Sequence, residues 1–162
     1  RRNCFDVCLF TGGRKMRAVI QLVKHASCTI DSKKVSSIEK GYCILVGFKE
    51  SDTKEIVDKM VSKIMKLRIF MDENEKMNLS ILDVKGSILS ISQFTLYANC
   101  KKGNRPSFIE AAKPVISMPL YDYFNEKCLE YVPVQTGVFG ADMKIDLCND
   151  GPITIVLDSD DL

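Results

Sequence analysis

The sequence predicts a single α/β domain with two main helices and a sheet that is mostly antiparallel or mixed. Three observations predict this class. Short alternating apolar runs lie towards both ends of the chain, two inner segments repeat apolar residues at helical spacing, and no repeat or Ser/Gly/Pro-rich linker divides the 162 residues. A composition of 46% hydrophobic and 27% charged residues is typical of a folded globular protein.

The charge balance leaves the partner open. A net charge of +2 neither requires nor excludes nucleic acid, because a polyanion needs only one locally basic face. No apolar run reaches the roughly 20 residues needed to cross a bilayer, so a membrane-embedded protein is excluded. A cytoplasmic location is a separate expectation, in line with the cysteine pattern described below.

Apolar alternation marks the first strands. Residues 18–23 alternate, and the pattern continues to Ile30, where Asp31 and Ser32 predict a turn. Residues 42–48 form a nearly continuous apolar run after Gly41, which predicts a buried central strand.

The clearest helix is predicted to begin at Asp52, which forms a capping-box pattern with Glu55. Its apolar stripe repeats at helical spacing and consists of Ile56, Met60, Ile64 and Leu67. Residues 68–71 then predict a short strand, and residues 72–76 predict a polar turn.

A second long helix is predicted to start at Pro119, because proline suits the first helical position. The residues expected on its inner side are Leu120, Tyr123, Phe124, Cys128 and Tyr131. A short helix capped by Ser107 and Glu110 is expected before Pro114. Further strands are predicted at residues 88–96, 143–148 and 153–157.

The cysteines predict reduced structural thiols in an intracellular compartment. They are Cys4, Cys8, Cys28, Cys43, Cys100, Cys128 and Cys148. The count is odd and no Cys-x-x-Cys pair occurs, so neither a disulfide framework nor a zinc ribbon is indicated. The alternative, a reactive thiol, requires a lowered thiol pKa.

Histidine content limits the chemistry. His25 is the only histidine, and no acid follows it before Asp31, so it reads as a surface or strand residue. A site with two histidine ligands is impossible within one chain, and no Asp/Glu/Cys cluster has metal-ligand spacing. We therefore expect no metal or cofactor, and any hydrolysis must use backbone dipoles, hydroxyls, amides or groups of the substrate.

Two polar tetrapeptides are candidate site segments. In Ser92-Gln93-Phe94-Thr95, strand alternation puts Gln93 and Thr95 on one face, where they either bind a ligand or belong to a hydrogen-bond ladder within the sheet. Asn149-Asp150-Gly151-Pro152 reads either as an ordinary turn or, with a cis proline bond, as a rigid polar wall.

Two glycine-containing loops are weaker candidates. Gly137 and Gly140 flank an aromatic residue ahead of Met143, which permits close backbone approach but equally suits a turn. Residues 101–106 form a basic loop that either contacts phosphates or is simply solvated.

Six segments in order resemble the D-aminoacyl-tRNA deacylase family, formerly called D-tyrosyl-tRNA deacylases. They are Met16-Arg17-Ala18-Val19-Ile20-Gln21, Leu67-Arg68-Ile69-Phe70, Ser92-Gln93-Phe94-Thr95-Leu96, Lys102-Gly103-Asn104-Arg105-Pro106, Phe139-Gly140-Ala141-Asp142-Met143 and Asn149-Asp150-Gly151-Pro152-Ile153-Thr154. The resemblance covers residues 16–158. It implies a barrel-like sheet and a homodimer with active sites at the subunit interface.

The resemblance also implies a reaction and its residues. The reaction is hydrolysis of the ester of D-aminoacyl-tRNA and of glycyl-tRNA mischarged on tRNA-Ala, with L-aminoacyl groups rejected by a Gly-cisPro motif. Gln93 and Thr95 are implied as catalytic, although nothing nearby supplies Thr95 with a base. Substrate binding is assigned to Ser92, Phe94, Gly140, Met143, Asn149, Asp150, Gly151 and Pro152. RNA binding is assigned to Lys101, Lys102 and Arg105 because of the charge of their loop and not through the resemblance.

Two departures and two alternatives accompany this resemblance. Residues 1–15 are interpreted as an N-terminal extension, disordered or left from expression, ahead of a domain at residues 16–162. His25 stands where the family commonly has a small residue. The alternatives are a nucleic-acid-binding module without catalysis, with the basic loop as its footprint, and a thiol-dependent enzyme.

Overall fold

The computed structural model describes residues 15–162, so the predicted extension lies outside the described residues except for Lys15. The strands are β1 Arg17–Ile30, β2 Lys33–Ile38, β3 Gly41–Gly47, β4 Phe70–Met71, β5 Met77–Leu79, β6 Ser87–Ser92, β7 Val134–Thr136 and β8 Lys144–Asp158. The helices are α1 Lys54–Lys66 and α2 Pro114–Leu129, with 3-10 segments at Phe94–Tyr97 and Ser159–Asp161. No described helix is long and apolar enough to span a membrane.

The sheet is organised around β1. This long strand pairs antiparallel with β3 in its first half, with β2 in its second half and with β8 along most of its length. β6 joins β3 in parallel, and β7 joins β6 in parallel. The mixed sheet curves into a nearly closed barrel, which confirms the predicted fold class.

The core has two parts because β3 is buried on both faces. Tyr42, Ile44 and Val46 pack towards the two helices, whereas Cys43 faces a smaller apolar cluster on the other side of the sheet. This confirms the central strand expected from the apolar run at residues 42–48. The turn at Asp31 and Ser32 is also confirmed, and both residues have positive φ.

Helix α1 begins one residue later than predicted. Its N-cap is Thr53, whose side chain accepts from the backbone N–H of Ile56. Asp52 does not cap the helix. Its buried carboxylate accepts from the N–H of Met16 at 2.9 Å and of Lys49 at 2.7 Å, so it ties the start of β1 to the helix entrance. Burial raises the pKa of Asp52.

Three predictions for residues 107–131 are corrected. It begins at Pro114, which takes the first helical position, so Pro119 lies inside the helix. Ser107 starts no helix, because its N–H and C=O pair with those of Asn99. The inner face holds Tyr121, whereas Tyr131 is exposed.

Candidate active site

The strand predicted at residues 88–96 stops at Ser92, and the next residues form a tight turn. The N–H of Gln93 makes the final bond to β3, donating to the Val46 carbonyl at 2.7 Å, and Phe94–Tyr97 then form a 3-10 helix. The prediction that residues 93–96 continue the strand is therefore wrong. The turn nevertheless brings the expected pair together, because Gln93 Nε2 donates to Thr95 Oγ1.

Buried groups hold this turn from behind. The Tyr97 hydroxyl lies 3.0 Å from the Gly47 carbonyl oxygen and also reaches that of Lys15, and burial raises the pKa of Tyr97. Arg17 Nη1 donates to the Leu96 carbonyl at 2.7 Å, and its guanidinium lies 5.3 Å from the centre of the Tyr97 ring. Arg17 is itself fixed by Asp158 at 3.3 Å. The turn is thus anchored to β1, β3 and β8.

A cavity of about 310 Å³ opens in front of the turn. Its wall includes Ser92, Gln93, Phe94, Gly140 and Met143, all of which the sequence placed in the site. The rest of the wall comes from Gly47, Phe48, Ile91, Ala112, Ser117, Phe139, Ala141, Asp142 and Ile145. Thr95 is not part of the wall, but it is exposed beside Gln93.

The cavity offers little acid–base chemistry. Within the described chain, Asp142 is the one titratable residue of the wall, and it is an exposed side chain paired with Lys144 at 3.0 Å. His25 is exposed on β1 and does not line the cavity. A reacting group held here meets mainly apolar side chains, together with the Gln93 amide and the hydroxyls of Ser92 and Ser117.

Gly47, which the sequence did not single out, and Gly137 lie where neighbouring groups leave no room for a Cβ. A Cβ on Gly47 would lie 2.8 Å from the Tyr97 ring and 3.0 Å from the Gln93 carbonyl oxygen. A Cβ on Gly137 would overlap the sulfur of Met143. Gly140 has φ +77°, and an added Cβ would meet no atom within 4 Å. Glycine is therefore favoured at this position by its backbone conformation and not by lack of space. Nothing in the sequence distinguishes Gly47 from an ordinary strand-end glycine.

Asn149-Asp150-Gly151-Pro152 is neither a hairpin turn nor part of the cavity. β8 continues through it. Thr154 lies opposite Gln21 and Asn149 opposite Val23, so residues 150–153 face a single residue of β1 and bulge out of the ladder. The two predicted strands at residues 143–148 and 153–157 are therefore one. The Gly151–Pro152 peptide bond is cis, and both residues are exposed.

The side chain of Asn149 holds the bulge. Its Nδ2 donates to Gln21 Oε1 at 2.9 Å and to Thr154 Oγ1 at 3.1 Å, while its Oδ1 accepts from the N–H of Ile153 at 3.1 Å. Asn149 thus acts within its own chain as a brace. Asp150 is partly buried, and neither residue lines the cavity.

The basic loop and the described cysteines also lie outside the cavity wall. Lys101, Lys102 and Arg105 are all exposed. Cys28, Cys43 and Cys128 are buried free thiols, and burial raises the pKa of Cys43 to about 11 and that of Cys128 to about 12. Such raised pKa values oppose thiolate formation, which disfavours the thiol-dependent alternative for these residues.

The fold and the site define a mixed α/β barrel whose cavity is lined mainly by apolar residues and glycines, with Ser92, Gln93 and Ser117 as its neutral polar side chains. The family model for D-Tyr-tRNA(Tyr) deacylase matches residues 19–158. A D-aminoacyl-tRNA deacylase from Bacteroides fragilis (strain YCH46) is 58% identical over 146 residues, which cover 89% of this chain and 97% of the relative. The chain therefore belongs to the D-Tyr-tRNA(Tyr) deacylase family, whose members are hydrolases.

Two solved structures share this fold. A c-Myc DNA Unwinding Element Binding Protein superposes with a TM-score of 0.82 at 39% identity, covering 87% of this chain and 97% of that protein. A probable eukaryotic D-amino acid tRNA deacylase superposes with a TM-score of 0.77 at 18% identity, covering 89% and 99%. The second likeness concerns the fold alone.

Proposed function

We propose that this chain hydrolyses the ester of D-aminoacyl-tRNA, and of glycyl-tRNA mischarged on tRNA-Ala, releasing the amino acid and free tRNA. It acts in the cytoplasm as a homodimer. The observation that carries the proposal is the cavity beside the Gln93–Thr95 pair, in a chain that is 58% identical to a D-aminoacyl-tRNA deacylase. The free buried thiols fit a reducing compartment.

The exposed bulge supports a site shared between two subunits. Gly151 and Pro152 do not line the cavity of their own chain, yet they project from β8 on a braced backbone. In the proposed dimer they enter the partner's cavity and face the α-carbon of the aminoacyl group. A rigid main chain there excludes every L side chain by overlap and tolerates hydrogen or a D side chain, so discrimination works by rejection.

Catalysis in this proposal depends on the RNA as well as the protein. The Thr95 hydroxyl accepts a hydrogen bond from Gln93, and no base takes its proton among the described residues. The N–H groups of Phe94 and Thr95 begin a 3-10 helix and so have no acceptor within it. We assign attack to a water positioned by the 2′-hydroxyl of the terminal adenosine, with main-chain amides stabilising the oxyanion.

Replacement of Thr95 separates this mechanism from one with a threonine nucleophile. We expect Thr95→Ala to keep at least about a tenth of the wild-type kcat, whereas removal of a true nucleophile costs roughly 10⁴-fold or more. Single-turnover hydrolysis measures the difference, with thermal unfolding and tRNA binding as controls. Complete loss of turnover in a folded, tRNA-binding variant would contradict the assignment.

The function itself is tested by comparing D-tyrosyl-, L-tyrosyl- and glycyl-tRNA side by side. We expect release of D-tyrosine and glycine and protection of the L-ester. Equal cleavage of the D- and L-esters would remove the stereochemical filter, and no cleavage of any ester would remove the deacylase proposal. Size-exclusion chromatography with light scattering tests the dimer independently.

DNA binding is a second candidate. The observation in its favour is the 39% identity to a c-Myc DNA Unwinding Element Binding Protein. This alternative predicts sequence-selective binding to a DNA duplex and no release of D-amino acid from charged tRNA. The two candidates thus give opposite results in the hydrolysis assay.

A further inference from the structure

A cationic loop at residues 100–106, closed by main-chain hydrogen bonds at its base, lies beside the proposed active site. Its base is closed by two main-chain hydrogen bonds between Asn99 and Ser107, of 2.8 and 2.9 Å. Between them the chain carries three exposed cations and no acid: Lys101, Lys102 and Arg105. Within residues 15–162, none of the three forms an ion pair, and Glu110, the next acid along the chain, is engaged by Lys49 at 3.6 Å.

A pair of phenyl rings lies between this loop and the cavity. Phe94 and Phe108 meet edge to face with ring centres 5.2 Å apart, and Phe94 is 56% exposed. Phe94 also lines the cavity, while Phe108 directly follows Ser107 at the base of the loop. Cavity, phenyl pair and cationic loop are therefore contiguous.

This order matches the chemistry of a single-stranded polynucleotide end. Bases stack on exposed aromatic rings with little regard to sequence, and cations beside the rings follow the phosphates. A duplex buries the faces of its bases and cannot use the rings in this way. The arrangement thus favours an unpaired strand.

We propose that Phe94, Phe108 and the cationic loop form a platform for the unpaired 3′ end of the substrate RNA. The platform stacks bases that precede the terminal nucleoside and binds their phosphates, while the aminoacyl ester occupies the cavity. This inference rests on the proposed deacylase function and extends it, because it assigns binding of the unpaired strand to Phe94 at the cavity wall and to Phe108 and three cations outside it.

The test compares two triple variants that remove the same charge. The platform variant is Lys101→Ala/Lys102→Ala/Arg105→Ala, and the control is Lys24→Ala/Lys33→Ala/Lys34→Ala, at three exposed lysines of β1 and β2. The kcat/KM for D-tyrosyl-tRNA is measured from about 50 to about 300 mM KCl. A third variant, Phe108→Leu, keeps an apolar side chain but removes the ring.

We expect the platform variant to lower kcat/KM for D-tyrosyl-tRNA about tenfold at physiological salt, mainly through KM. The slope of log kcat/KM against log salt becomes shallower by about 2, from roughly 0.7 per single-strand phosphate contact. The ratio of kcat/KM for D-tyrosyl-tRNA to that for D-tyrosyl-adenosine falls in the platform variant and in Phe108→Leu. It does not fall in the lysine control.

If the slope of log kcat/KM against log salt is equal for the platform and control variants, the platform is overturned. The deacylase function is not affected by that result as long as the wild type hydrolyses D-tyrosyl-tRNA. If the wild type hydrolyses no ester, fluorescence anisotropy with an uncharged single-stranded RNA ending in CCA still tests the platform. Weaker binding by the platform variant than by the control supports it. Binding of only the corresponding duplex through these residues overturns it.

Discussion

The Ser92–Thr95 segment and the Asn149–Pro152 segment are both short polar interruptions of strands, but the fold treats them differently. The first ends a buried strand and is anchored from behind by Arg17 and Tyr97, with the cavity in front. The second lies within an outer strand, is held by one asparagine side chain and projects into solvent.

This difference shows that one chain supplies a cavity at the Ser92–Thr95 turn and, at a separate place, an exposed bulge at Gly151 and Pro152 that does not line this cavity. The turn is held in position by contacts to three strands. Substitutions that disturb these contacts are therefore expected to move the turn and to affect turnover strongly. A bulge braced by one side chain is easier to alter without damage to the core. The two regions should therefore respond to mutation in different ways.

The largest effect is expected from Gly47→Ala, which attacks the anchored region. The new methyl group meets the Tyr97 ring and the Gln93 carbonyl, so the turn must shift. A shift on the order of 1 Å at reacting groups costs about 100-fold in rate. Overpacking destabilises by roughly 1–3 kcal/mol. Steady-state kinetics measures the loss of rate, and denaturant unfolding measures the loss of stability. A near-normal kcat would show that the turn is not held against β3.

A smaller effect is expected from Arg17→Lys. Lysine keeps the charge but cannot bind the Leu96 carbonyl and Asp158 together while stacking on Tyr97. We expect kcat to fall about tenfold, equivalent to roughly 1.4 kcal/mol, with KM little changed. A rise in KM at constant kcat would instead indicate that Arg17 acts on substrate binding and not on the turn.

The smallest effect on turnover is expected from Asn149→Asp, which attacks the bulge. The substitution replaces the amide donor that faces Gln21 and Thr154 with an acceptor, at a cost of about 1–3 kcal/mol. We expect the ratio of D- to L-ester hydrolysis to fall more than the rate on the D-ester. Asp146→Asn, at an exposed position on the same strand, is the control. Unchanged selectivity would separate the bulge from stereochemical discrimination.

Periodicity predicted the elements whose burial is repetitive. The apolar run at residues 42–48 and the stripe containing Met60 and Ile64 were both confirmed. Errors occurred where two positions satisfied the same local rule. Pro114 and Pro119 both suit a helix start, and Asp52 and Thr53 both suit an N-cap, so contacts distant in sequence made the choice.

The candidate site was predicted in part. Gln93, Phe94, Gly140 and Met143 were identified from the sequence and do meet at one cavity. Gly47 was not recognised, because its importance comes from Tyr97 and Gln93, which approach it from elsewhere in the chain. The anchoring role of Arg17 was likewise invisible, since its partners Leu96 and Asp158 lie far away in sequence.

The sequence by itself determined the α/β class, the buried central strand, the scarcity of acid–base groups and the chemical character of both polar segments. These follow from residue type and local spacing, which act over a few neighbouring residues. Only the tertiary structure decided that Ser92 ends its strand, that β8 continues through its bulge, and that the cavity is lined by residues 92–94 and not by residues 149–152. Those outcomes depend on pairings across the sheet, whose energies local sequence does not contain.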